Sequence, residues 1–71
     1  MSANVSQDLL TRLAALRPLC PDMRFGQMLA TLGVLGEDMV GRTLWDIEDD
    51  QLADVVERFR QDLARRGEGP A

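Results

Sequence analysis

With 71 residues, a net charge of −4, one cysteine and no histidine, the chain has room for a single small domain, and its composition narrows what that domain can do. A domain of this size buries roughly 60% of the surface its unfolded chain exposes, so its stability is modest and a partner chain has scope to share the core. The single cysteine, Cys20, excludes an intrachain disulfide, the lack of histidine removes the usual zinc-site spacings, and the acid excess argues against polyanionic partners such as nucleic acids and anionic membranes.

Met1-Ser2-Ala3-Asn4 has no basic region ahead of an apolar run, and the apolar stretches are only a few residues long, so neither a signal peptide nor a membrane span is expected. A bare thiol fits a reducing cytoplasm.

A first helix is expected over residues 6–17, capped by Ser6 or Asn4, with Asp8 in its first turn. Leu9, Leu10, Leu13 and Leu16 form its apolar stripe, and Pro18 disfavours helical geometry at Arg17. The stiff link Pro18-Leu19-Cys20-Pro21 turns the chain around a hydrophobic corner at Leu19. A second helix is expected over 22–34, started by Asp22 and carrying Phe25, Met28, Leu29 and Leu32 on one face. Gly26 lies inside it at a cost of about 1 kcal/mol relative to alanine, which a second helix backbone crossing closely at that point would offset. Gly33 and Gly36 offer the left-handed conformation that ends a helix.

Residues 36–46 show no sustained period and read as an ordered loop, with one helical turn at Asp38 to Val40 and with Leu44, Trp45 and Ile47 folded back as a lid on the core. The third helix, 47–66, has the clearest signal: Leu52, Val55, Val56, Phe59 and Leu63 recur at helical spacing. Acids gather at its start (Asp46, Glu48, Asp49, Asp50) and bases towards its end (Arg58, Arg60, Arg65, Arg66), matching the helix dipole at both termini. Asp54 with Arg58 and Glu57 with Arg60 are spaced as surface ion pairs. The ordered part is expected to span 5–66, with a flexible tail at 67–71.

Candidate sites each have a structural alternative. The acid cluster at 46–50 could hold a divalent cation, but it lacks the central glycine and distal glutamate of a calcium loop, and helix capping explains it better. Cys20 precedes a helix start, a position that lowers a thiol pKa, but no histidine is available as its base and a small buried hydrophobe is the simpler reading. Arg24 and Gln27 either hold a partner's carboxylate or backbone, or bridge to the acidic start of the third helix and satisfy a loop carbonyl. Arg58, Arg65 and Arg66 make a local basic patch, without the reading helix of a nucleic-acid module.

The run Cys20-Pro21-Asp22-Met23-Arg24-Phe25-Gly26-Gln27-Met28-Leu29, followed by Leu44-Trp45-Asp46-Ile47-Glu48-Asp49-Asp50-Gln51-Leu52, resembles a pattern in small uncharacterised bacterial and phage proteins. In that pattern a Pro-Asp-x-Arg-Phe-Gly-Gln-Leu-Leu segment precedes an aromatic and acidic segment. The resemblance covers about half of the chain and implies a helical fold, with no activity or ligand attached. Trp45-Asp46-Ile47 stands where the pattern has a Phe-Tyr pair.

The sequence therefore predicts one all-α domain over 1–71, three helices with an ordered loop between the second and third. The expected role is a small cytoplasmic protein-interaction module, in one form a homodimer, with an exposed apolar strip along its first or third helix. The alternative is a nucleic-acid-associated regulator using the arginine-rich end of the third helix. No catalytic, cofactor or metal-binding residue is expected. Arg24, Gln27, Trp45, Arg58 and Arg65 are the expected partner-binding residues.

Overall fold

The apolar residues of the last third of the chain dictate the architecture. In a computed structural model that describes residues 2–68, with side chains over 6–66, the elements are α1 (Ser2–Leu16), a 3-10 turn (Arg17–Leu19), α2 (Phe25–Val40) and α3 (Asp49–Glu68). The fold is all-α, with no strand among the described residues. Val55, Val56, Phe59 and Leu63 of α3 are buried together with Leu9 and Leu16 of α1, Cys20, and Met28 and Leu32 of α2. Helix α3 packs against both other helices, which touch each other little. Fully burying an aliphatic or aromatic side chain contributes about 1.5–3 kcal/mol, so this shared cluster outweighs any surface ion pair.

Helix α1 begins earlier than expected. Ser6 is therefore not its cap but an interior residue, whose hydroxyl donates to Asp49 Oδ2 at the start of α3 (3.1 Å). Asp8 is likewise interior and accepts from Arg12 Nε (2.7 Å). Arg12 Nη1 also reaches Glu57 Oε1 across to α3 (3.4 Å). Since both partners advance together along the two helices, α1 and α3 run parallel. Leu10 falls out of the expected stripe and is 65% exposed. It lies about 100° around the helix from Leu9, too far to share the face that Leu9 and Leu16 turn to α3. At the corner, Leu19 is exposed and Cys20 is the buried residue.

Helix α2 differs from expectation at both ends. Pro21 and Asp22 form a turn closed by the Met23 N–H on the Cys20 carbonyl (3.1 Å), so Asp22 does not cap the helix. Arg24 occupies the cap position in an extended conformation, and its N–H donates to Gln27 Oε1 (2.7 Å). The helix then continues through Gly33 and Gly36 to Val40. It ends at Gly41, whose φ of 77° is left-handed and whose N–H donates to the Glu37 carbonyl (2.9 Å). The turn expected at Asp38 to Val40 is the last turn of α2, and the loop shortens to 41–48.

Gly26 is not a crossing point. A β-carbon there would meet nothing within 4 Å. The glycines that do receive a neighbour are Gly33, where a β-carbon would lie 3.5 Å from Leu44, and Gly36, where it would lie 3.5 Å from Ile47. The expected lid thus forms only in part: Ile47 and Leu44 lie over α2, whereas Trp45 points out and is 93% exposed.

Helix α3 starts at Asp49. The Glu48 carbonyl accepts the first helical bond from Leu52 N–H (2.8 Å), and the Glu48 N–H donates to Gln51 Oε1 (3.2 Å). Both α2 and α3 therefore use a glutamine three residues into the helix to satisfy the backbone N–H of the cap residue, half of a capping box. Of the expected flexible tail, Gly67 and Glu68 continue α3, and residues 69–71 lie outside the described residues.

Candidate functional site

Beside the stripe of α2 that fills the core runs a second stripe, Thr31, Val34, Leu35 and Asp38, at spacings of three and four. On α3 the matching row is Phe59, Asp62 and Arg66. Because α1 packs elsewhere on α3, nothing among the described residues covers the space between these rows. The result is an open groove of about 500 Å³ with Val34, Leu35 and Phe59 as its apolar lining and Glu37, Asp38, Asp62 and Arg66 as its charged rim. Val34 is 70% exposed at its edge.

The charges around the groove are unequally matched. Asp62 Oδ1 accepts from Arg65 Nη2 (3.1 Å) and from Arg58 Nε (3.4 Å). Glu37 and Asp38 form no ion pair among the described residues. Further round α3, Glu57 accepts from Arg60 Nη2 (2.7 Å) and Nε (3.1 Å) and from Gln61 (3.2 Å). The Arg60 hydrogen bond, aided by Gln61 and by the charges of Arg60 and Arg12, holds the Glu57 carboxyl below the usual carboxylate range, against a smaller opposing effect of desolvation. The same hydrogen bond raises the pKa of Arg60.

The five residues expected to bind a partner do not form one site. Arg24 and Gln27 are joined in the α2 cap, and the Arg24 side chain makes no bridge to α3 among the described residues. Gln27 uses its side chain on the cap N–H rather than on a loop carbonyl. Arg58 and Arg65 are brought together, but on Asp62; Arg58 pairs there and not with Asp54. Trp45 stands at the apex of a turn closed by Asp46 and Ile47 N–H groups on the Thr43 carbonyl (3.0 and 2.9 Å). Among the described residues the exposed large apolar side chains lie mainly on α2 (Phe25, Val34, Met39) and in the loop (Leu44, Trp45), with Leu10 on α1 and Leu19 in the link, rather than in a strip along α1 or α3.

The acid cluster is dispersed over separate partners. Asp46 accepts from the Thr43 hydroxyl (3.4 Å), Asp49 from Ser6, and Asp50 from the Gln51 N–H (2.9 Å). Among the described residues no three histidine, cysteine, aspartate or glutamate side chains are placed to hold a metal ion. Cys20 is buried with its thiol directed at the Leu16 carbonyl (3.3 Å). No described helix is long and apolar enough to cross a membrane.

The groove is the feature that sequence reasoning missed. Its signal was the continuation of the helical spacing from Thr31 through Asp38, hidden by assigning Gly33 and Gly36 to a helix end. The chain matches no protein-family model, no curated protein and no solved structure at a significant level.

Proposed function

We propose that this chain is a small cytoplasmic protein-interaction module with no catalytic role, and that the α2–α3 groove is its binding surface. The observation that carries this reading is an apolar channel left open between two helices, with Val34 at its edge and Phe59 at its base. Burying exposed apolar area against a partner is the main driving force of association, and a channel lined this way gains more from it than a flat face. Of the α3 arginines that the alternative, nucleic-acid binding, would use, Arg58, Arg60 and Arg65 sit on the chain's own carboxylates, and Arg66 alone has no ion pair among the described residues. That supports the protein reading over the nucleic-acid one.

The test is retention of a protein from native extract by the wild-type chain and by Val34→Glu, with helicity checked by circular dichroism and self-association by sedimentation equilibrium. A species held by wild type and lost by the folded variant supports the module, as does self-association abolished by the same change. A chain that stays monomeric at high concentration and retains nothing overturns it.

A further inference from the structure

The structure carries an inference about the chemistry of the partner, which rests on the interaction reading above. We propose that the α2–α3 groove takes a basic amphipathic helix of another protein, seating apolar side chains on Val34, Leu35 and Phe59 and a lysine or arginine against Glu37 and Asp38.

Charge placement argues for it. Glu37 and Asp38 lie in the last turn of α2, which ends at Val40. Carboxylates there face the negative end of the helix dipole, where acidic side chains are unfavourable and cations are favoured. Helix α3 follows the opposite rule, with Asp49 and Asp50 in its first turn and Arg65 and Arg66 in its last. The third acid at the rim, Asp62, already holds two guanidinium groups, and Arg66 is the rim's own cation, so the rim acids without an ion pair among the described residues are Glu37 and Asp38 alone. An incoming cation would relieve both the dipole conflict and the mutual repulsion of the neighbouring pair.

The dimensions suit a helix. The α2 wall from Thr31 to Asp38 rises about 10 Å, close to two helical turns, which is the span of two anchors spaced i, i+3 or i+4 with a charge one turn further on. A second copy of this chain is the poorer occupant. Its most exposed apolar side chain, Trp45, is followed by Asp46, Glu48, Asp49 and Asp50, and docking that segment would bring acid onto acid.

The test uses the full chain, isotopically labelled, titrated with a synthetic fourteen-residue Leu/Lys amphipathic peptide and with its Leu/Glu counterpart of identical apolar pattern. The expected result is amide shifts confined to Thr31, Leu35, Asp38, Phe59 and Asp62 with the Leu/Lys peptide, and binding at least about tenfold weaker with Leu/Glu. Glu37→Gln with Asp38→Asn should weaken Leu/Lys binding and flatten its salt dependence while raising the melting temperature, which also certifies the fold. Equal binding of both peptides, shifts centred on residues 46–50, or concentration-dependent shifts at the groove without peptide would each overturn the inference, the last in favour of a second copy. If the peptides fail but a cellular protein is still lost on Val34→Glu, the interaction reading stands and only the basic character of the partner falls.

Discussion

Gly26 and Gly41 lie near the two ends of α2, and the same substitution should move stability in opposite directions. At Gly26 the backbone is helical and a β-carbon meets nothing within 4 Å, so Gly26→Ala should stabilise the chain by about 0.5–1 kcal/mol through the unfolded state and helix propensity. At Gly41 the φ of 77° puts a β-carbon in the strained left-handed region, and Gly41→Ala should cost about 1–2 kcal/mol. Urea midpoints of the two variants against wild type check both; a loss at Gly26 would mean that something does cross there. Glu57 supplies a pH dependence of determined sign. Its carboxyl is held below the usual range when folded, chiefly by Arg60, so the folded chain binds that proton less readily than the unfolded one. The stabilisation is present above the ordinary carboxylate pKa and disappears as pH falls through the lowered value. Melting curves of Glu57→Gln and wild type should therefore differ most near neutrality and converge in acid.

Among the elements, α3 is legible in the sequence because its apolar residues keep the helical period and its acids and bases sit at opposite ends. Helix α2 is legible only over its middle. Glycine is read as a stop signal, yet Gly33 and Gly36 stay helical with the side chains of Leu44 and Ile47 lying over them, a tertiary contact that no local pattern announces. The starts of α2 and α3 were misplaced by a few residues for a related reason: Arg24 and Glu48 are weak cap residues, and the work falls to Gln27 and Gln51 one turn later. The groove required both the extra turn of α2 and its seat on α3, so composition could not show it. The loop is the clearest misreading, since Trp45 looks too large to leave in water but is held out by the turn at Thr43. Trp45→Ala should change stability by no more than about 0.5 kcal/mol, as for an exposed position without special contacts. Correspondingly, native tryptophan emission should resemble that of the unfolded chain; a strong blue shift on folding would show that the residue is covered after all.

For the whole molecule, the consequence of placing α3 between two helices that scarcely meet is an elongated body. The radius of gyration is 12.3 Å and the principal extents are 40 × 23 × 19 Å, whereas a compact chain of this length would have a radius near about 11 Å. Elongation leaves more apolar area uncovered per residue and makes stability uneven. Helix α1 can open while α2 stays on α3, because α1 and α2 scarcely touch; the ties it breaks are Leu9, Leu13 and Leu16 at the core and the surface contacts of Ser6 and Arg12. Opening α3, by contrast, exposes Val55, Val56, Phe59 and Leu63 to both sides at once. Native-state hydrogen exchange should therefore rank the amides of 55–63 as the slowest, exchanging only through global unfolding, with the early turns of α1 exchanging through a smaller opening. Leu16→Ala, at a side chain with no exposed surface, should cost about 2–5 kcal/mol and bring the α1 opening close to the populated range, while leaving the ordering of the α3 amides unchanged. Uniform protection across all three helices, falling together in the variant, would instead mean that α1 and α2 are coupled through contacts stronger than the packing shows.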